Sequence, residues 1–477
     1  MLIMEKKSLD YLFNPRSIGF VGISSDPTSM MRDMFLKPFI YFEFRGAIYP
    51  INPKGGEIHG IKIYSSLGDI PGHVDYVIAS LPAQYSIKVI QDCAAKGVKA
   101  VHFFSSGFSE IGTEEGKTME TELVKIARDK GVRVIGPNSM GIYCPKSRIS
   151  YWDEFPKEHG SVGYISQSGG NSIQLVQMAS ARGILFSKVI SYGNACDIDE
   201  SELLEYMTDD PDTEIIAMYI EGVKDGQRFI ETLKKAAKAK PVVILKGGSS
   251  NAGSSAAASH TGSLAGSDIT WSALCHQLGV IRVFSMEELA DLLVTFQFMP
   301  VPEGRNVAIV GVGGGASVLS TDDCENNDLT VPPLPPEIRS KILEFTPHVG
   351  NILRNPIDSQ LIFQDPGGFV NMIKIISDWK GIDIMMALLM STDVFPSFGD
   401  SIMYNLLVNT MLDSCQVSSK PMAAVIQPGI HPDMSREAFA AQQKFVSMGV
   451  PVYHSVDKAA NAFRKYLEYD RRKRERG

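Results

Sequence analysis

His260 stands in a run of very small side chains, 247–266, where glycine, serine, alanine and threonine leave almost nothing bulky to pack. Such a segment buries little apolar area against its ordering entropy. It therefore reads as a loop contoured by glycine or free to travel, with its histidine presented to something. Fully extended, Gly247 to His260 reaches on the order of 40 Å. A carboxylate, Glu221, closes the apolar run 215–220. If it reaches the imidazole it accepts the Nδ1 proton and leaves Nε2 as a nucleophile, an arrangement that lets neutral histidine attack phosphorus near neutral pH. Ser166, Gln167, Ser168, Gly169 and Gly170 follow the apolar run 162–165 and precede a helical pattern carried by Ile173, Leu175, Val176, Met178 and Ala179. Hydroxyls and open amides at a helix start make an anion seat, to which the aligned peptide dipoles add about half a positive charge. Each feature also has a plain reading: a Gly/Ser/Ala linker with an incidental histidine, a solvated charge at a strand exit, a structural capping loop.

These residues need a scaffold, and the chain supplies one. Short β-branched apolar runs alternate with amphipathic stretches of helical length, the pattern of parallel sheets covered by helices. Runs at 17–23, 47–51, 75–81, 100–104 and 133–135 predict one doubly wound domain over 1–145. The polar, aromatic passage 145–160 reads as a linker. Runs at 161–165, 186–191, 214–220, 241–245 and 280–283 predict a second domain over 155–297. Pro300, Pro302 and Gly304 punctuate the next break, and runs at 307–312, 382–389, 421–426 and 451–453 predict a third over 304–477. The fold class is α/β, as three doubly wound modules of Rossmann or flavodoxin type.

Ligands of such sheets sit at the carboxyl ends of the strands. The first strand end, Gly22, Ile23, Ser24, Ser25, Asp26 and Pro27, is a glycine turn able to offer amides to a phosphate, but Thr28 to Arg32 lack the later glycines of a dinucleotide fingerprint. Asn52, Pro53 and Lys54 end the second, leaving a cation beside the first loop. Ser80 to Ala83, Ser105, Ser106 and Gly107, and Gly136 to Gly141 with Asn138 end the next three, again small and polar. Repetition across one sheet favours a nucleotide-like cleft over coincidental turns.

Composition narrows the partners. A net charge of −8 over 477 residues argues against nucleic acid and against an anionic membrane surface. The six cysteines, at 93, 144, 196, 275, 324 and 415, have neither Cys-x-x-Cys pairing nor histidines at ligand spacing, which fits a reducing cytoplasm and no metal site. No stretch approaches the ~20 apolar residues of a membrane span, and Met1 to Lys7 is too short an apolar run for a signal peptide.

Taken together and in order, the motifs Asn52–Lys54, Ser105–Glu110, Gly136–Gly141, Ser166–Gly169, Tyr192–Asn194 with Asp197 and Asp199, Ile220–Gly226, and Ser259–Gly266 resemble the α subunit of nucleoside-diphosphate-forming acyl-CoA synthetases. ADP-forming acetyl-CoA synthetases are the nearest members and succinyl-CoA synthetase is a more distant relative. Val307–Val310, Gly313–Gly315 and Asn355–Asp358 extend the likeness into the third domain. The resemblance implies a Rossmann-like CoA-binding domain followed by two flavodoxin-like ligase domains. It implies that His260 is phosphorylated, that Glu221 orients it, and that Ser166 to Gly170 cradle phosphate. Gly22, Ser24, Ser25, Asp26, Pro27, Asn52, Lys54, Ser105, Ser106 and Gly107 then match the loops that contact coenzyme A, while Asn138, Tyr192 and Asn194 surround the acid.

In that family acyl-CoA and phosphate give an acyl phosphate, the histidine takes the phosphoryl group, and ADP removes it as ATP, all reversibly. The likeness further implies a separate ATP-grasp β subunit holding Mg-ADP or Mg-ATP, in an α2β2 assembly, since the length after Tyr453 holds no ATP-grasp pattern. Two departures stand out. Met30, Met31 and Arg32 occupy the region where the first loop of the family carries a glycine, and Val312 to Ala316 differ from its third-domain loop. A CoA- or acyl-CoA-binding regulatory protein without catalysis is the alternative reading. A nicotinamide dehydrogenase lacks both its glycines and any use for the His260 loop.

Overall fold

The computed structural model describes residues 9–24, 26, 34–250, 252–253, 267–311, 313–346, 351–389, 401–429 and 431–476. They form two compact units, one of residues 1–180 with 185–289, the other of residues 181–184 with 290–477.

The first unit contains two sheets. In the amino-terminal one, β1 (Ser17–Val21), β2 (Ala47–Ile51), β5 (Tyr76–Ala79), β6 (Ala100–Phe103) and β7 (Arg133–Ile135) run parallel in the order β2-β1-β5-β6-β7. A small antiparallel hairpin, β3 (Gly56–Ile58) and β4 (Ile61–Ile63), lies between β2 and β5 in the chain. Every residue of β5 and β6 is buried, as a parallel strand covered on both faces requires. Val77, Ile90, Val101, Phe108, Leu123 and Val134 belong to its core. The strand order reverses between β1 and β5, and there Gly22, at φ 94°, is indispensable: a Cβ would stand 2.4 Å from the Ser80 carbonyl oxygen.

The second sheet runs β13-β12-β11-β9-β10-β8, with β8 (Gly141–Tyr143), β9 (Val162–Ser166), β10 (Phe186–Ser191), β11 (Ile215–Ile220), β12 (Val242–Lys246) and β13 (Ile281–Val283). Only β8 is antiparallel to its neighbour. The passage 145–160 is packed rather than tethering. Tyr151 and Phe155 are buried against each other at 5.4 Å between ring centroids, and the Tyr151 hydroxyl donates to Ser172 Oγ at 2.9 Å. Its aromatic rings carry enough apolar area to outweigh the polar residues between them. The two sheets are cross-linked by Arg133, which donates to Asp197 Oδ2 at 2.8 Å and forks onto Glu202 at 2.9 and 2.7 Å.

In the second unit β14 (Val307–Gly311), β15 (Asn351–Leu353), β16 (Ile357–Ser359), β17 (Ile384–Leu389), β18 (Met422–Ile426) and β19 (Val452–Tyr453) form a sheet ordered β15-β16-β14-β17-β18-β19. Val310, Ile357, Phe369, Met385, Met411 and Phe445 are among its core residues. Residues 181–184 belong here because Arg182, almost fully buried, pairs with Asp291 at 2.7 Å and donates to the Val452 carbonyl at 2.7 Å. The division falls between Leu289 and Ala290, inside the helix Met286–Phe298, ahead of the proline-marked break read from the sequence.

Candidate active site

The carboxyl ends of the two sheets of the first unit open onto one cavity of about 560 Å³. The amino-terminal sheet contributes Ser80 to Pro82 after β5, Phe104 to Ser106 after β6 and Asn138 to Met140 after β7. The second contributes Gln167 to Gly170 after β9. Each sheet reverses its strand order there, at β1–β5 and at β9–β11, and such points are where open α/β sheets leave a crevice.

The seat at 166–170 is built from the backbone. Ser166 is fully buried, and its hydroxyl donates to the Ser168 carbonyl at 2.7 Å while accepting from the Ser168 amide at 3.3 Å. That hydroxyl shapes the turn instead of facing the cavity. Ser168 Oγ then accepts the Asn171 amide at 3.3 Å, capping the helix Gly169–Ser180. The amides of Gly169 and Gly170 have no acceptor among the described residues, and apart from its own helix no described atom lies within 4 Å of where a Gly170 Cβ would be. Open amides at the start of a twelve-residue helix, with glycine leaving them uncovered, fit a phosphate oxygen.

Gln167 joins this seat to the acid. Buried at the switch point, it donates its amide to the Tyr219 carbonyl at 3.0 Å, and its Oε1 accepts the amides of Glu221 at 2.7 Å and Gly222 at 3.2 Å. The Tyr219 hydroxyl donates to Glu221 Oε1 at 3.0 Å. Glu221 is thus fixed by its backbone and by a neighbouring phenol. Beside it Lys246 ends β12, opposite Ile220 in register, and burial pushes its ammonium down to about 8, with Arg282 acting in the same sense and Glu221 against it. Gly247 follows and donates to the Ile220 carbonyl at 2.8 Å; a Cβ there would meet the Tyr219 hydroxyl at 2.7 Å. The segment leading to His260 therefore departs from directly beside Glu221. His260 itself, with Ser25 and Pro27, lies outside the described residues.

Among the other residues singled out from sequence, Asn52 ties two strand-end loops together: its Nδ2 donates to the Ile23 carbonyl at 2.7 Å and its Oδ1 accepts the Lys54 amide at 2.9 Å. Ser24 Oγ accepts the Asp26 amide at 3.1 Å, and Lys54 is exposed. Gly107 has φ 110°, and its amide donates to Glu110 Oε1 at 2.5 Å. Asn138, at φ 58°, donates its amide to the Ser105 carbonyl at 3.1 Å and lines the cavity. Tyr192 and Asn194 are buried and do not line it. Burial holds the Tyr192 phenol well above its ordinary range, and the Asn194 side chain is taken up by Glu110 at 2.5 Å and Glu120 at 2.9 Å.

Met140 lies inside the strand-end motif Gly136–Gly141 singled out from sequence but is given no role there, and His102 is not singled out. Met140 lines the cavity; His102, fully buried on β6, bonds through Nε2 to the Ser139 carbonyl at 2.8 Å. Burial lowers that imidazole to about 4, so it is neutral and donates to the carbonyl. Among the described residues no three His, Cys, Asp or Glu side chains are grouped to hold a metal ion, and no helix is long and apolar enough to cross a membrane.

Residues 16–145 match the model of the CoA binding domain, and residues 159–296 that of the succinyl-CoA ligase like flavodoxin domain. The chain is 42% identical to the acetate–CoA ligase (ADP-forming) I subunit alpha of Pyrococcus furiosus, over 68% of this chain and 70% of that one. It is 36% identical to the II subunit alpha of the same organism, over 95% of this chain and 96% of that one. Among solved structures, a dinucleotide forming acetyl-coenzyme A synthetase 1 of Ca. Korarchaeum cryptofilum, in complex with phosphate and ADP, superposes with a TM-score of 0.80 at 31% identity, covering 98% of both chains.

Proposed function

The chain belongs to the family of ADP-forming acetate–CoA ligase α subunits, and from that premise we propose that it is the acid–thiol ligase subunit that forms an acyl phosphate and carries its phosphoryl group on His260. The observation that carries the reading is the shared cavity, in which the strand-end loops of a CoA-binding domain face an anion seat whose Gln167 also supports Glu221.

Phosphate rests on the amides of Gly169 and Gly170. Ser80 to Pro82 and Ser105 to Gly107 receive the thiol end of coenzyme A, with Gly22, Ser24, Ser25, Asp26, Pro27, Asn52 and Lys54 holding the remainder. A phosphate oxygen adds to the thioester carbon, the C–S bond breaks, and CoA leaves as the thiolate. Nε2 of His260 then attacks phosphorus, the P–O bond to the acyl group breaks, and the carboxylate departs. Glu221 takes the hydrogen bond from Nδ1 and stabilises the charge that develops on the ring. The amides, fixed before the reaction begins, neutralise the phosphoryl oxygens without reorganising.

The phosphoryl group then passes to ADP. We assign the Mg-ADP/ATP site to an ATP-grasp β subunit and the assembly to α2β2, in the cytoplasm, where six free cysteines persist. A regulatory chain that merely binds acyl-CoA has no use for the Gln167–Glu221–Tyr219 arrangement.

The test is labelling of the purified chain with an acyl phosphate, or with acyl-CoA and radioactive phosphate. An acid-labile, base-stable phosphoryl group is expected, absent in His260→Asn and much reduced in Glu221→Gln. Equal labelling of wild type and His260→Asn would refute the assignment. ADP phosphorylation is expected only once a β subunit is added.

A further inference from the structure

We propose that Met140 determines which acid the chain accepts, as the apolar wall against which the acyl tail packs. The inference rests on the ligase reading above. The backbone around Met140 is held on every side. Its amide donates to Ser191 Oγ at 3.1 Å, the preceding Ser139 carbonyl accepts from His102 Nε2 at 2.8 Å, and the Asn138 amide donates to the Ser105 carbonyl at 3.1 Å. Gly141 follows at φ 91°, where a Cβ would stand 2.8 Å from the imidazole. A backbone so fixed delivers the side chain to one place. That place is against Gly169: a Cβ there would lie 2.5 Å from Met140 Cγ and 3.7 Å from Sδ.

Chemistry then decides what lies beside it. Acyl phosphate forms only when the thioester carbon is within bonding reach of a phosphate on the Gly169–Gly170 amides. The first carbons of the acyl tail must therefore fall within a few ångströms of that seat, and Met140 is the apolar cavity residue that touches it. Leu81, Pro82 and Phe104 continue the apolar wall from the neighbouring strand ends of the same sheet. None of the described lining residues is charged, so a tail bearing a second carboxylate would meet no counter-ion among them. Because Met140 rests against Gly169, its length sets the room left beside the seat for the acyl tail.

The experiment compares the full-length chain with Met140→Ala and Met140→Phe. Binding of acetyl-, propionyl-, butyryl- and succinyl-CoA is measured by calorimetry, normalised in each protein to unacylated CoA, and labelling from each thioester with radioactive phosphate is followed in parallel. One methylene in an apolar pocket is worth about tenfold or more. The butyryl-to-acetyl ratio is expected to rise on the order of tenfold in Met140→Ala and to fall comparably in Met140→Phe, with succinyl-CoA disfavoured in all three. Met140→Val, a smaller cut expected to shift the ratio the same way, keeps the comparison available if the alanine variant does not fold. Identical chain-length ratios in proteins that all bind CoA would overturn the role of Met140. Failure of the wild-type chain to bind CoA or accept label would instead overturn the ligase reading, and this inference with it.

Discussion

Replacing Gln167 by leucine removes an acceptor without opening room for water, because the side chains are similar in volume and Gln167 is only 4% exposed. Two buried amides, those of Glu221 and Gly222, then lose the partner they now reach at 2.7 and 3.2 Å. An orphaned buried amide costs about 1–3 kcal/mol, so at about 1–2 kcal/mol for each of the two the end of β11 should loosen by about 2–4 kcal/mol. Converted to local opening, that is amide exchange roughly 30- to 1000-fold faster over residues 219–223, read by hydrogen-exchange mass spectrometry on the folded chain. Glu221 is displaced at the same time, and labelling of His260 should fall by up to ~100-fold, since a misplacement of an ångström is enough for that loss. Gln167→Glu keeps an acceptor and should recover the exchange protection. A folded Gln167→Leu protein with wild-type exchange over 219–223 would show that Gln167 does not hold the acid in place.

Arg133→Met should lower the stability of the first unit by about 3 kcal/mol, because it takes the guanidinium from Glu202 and leaves Asp197 with only the Val134 amide and Arg128; an unchanged denaturation midpoint would contradict the cross-link. His102 titrates near 4 in the folded chain against 6.5 for the unfolded one, so the unfolded state takes up its proton first as pH falls. Its stability contribution is therefore full above about 6.5 and declines toward 4 by about 1.4 kcal/mol per pH unit, a slope that should vanish in His102→Gln when thermal midpoints are compared across that window. Gly247→Val should cost about 1–3 kcal/mol through collision with the Tyr219 hydroxyl and depress His260 labelling more than tenfold; normal labelling would mean that the loop does not need to leave beside Glu221.

The strands that form the sheet centres were legible because burial on both faces forces apolar runs; β5, β9, β11, β12 and β18 show them, and β6 does so around the single buried His102. The short strands β3, β4, β8, β15 and β16 were not, since each is an antiparallel partner whose conformation is owed to a neighbour rather than to its place in a β–α rhythm, which is what exposed the equally short β7 and β13. The passage 145–160 looked like a linker by polarity, whereas buried Tyr151 and Phe155 make it part of the first unit.

For the candidate site, residue type and spacing along the chain were sufficient to single out a histidine on a small-residue loop, a carboxylate closing a strand and a hydroxyl-glycine turn at a helix start. Those are local properties: each follows from what one segment can bury and which backbone groups its termini leave unpaired. Which of these groups meet was decided only by tertiary structure. Two sheets place the ends of β5, β6, β7 and β9 around one cavity, bring Gln167 under Glu221 across 54 positions of chain, and seat Met140 on Gly169 while drawing Tyr192 and Asn194 into the interior. No local pattern encodes such contacts, because they arise from the order in which distant strands pair.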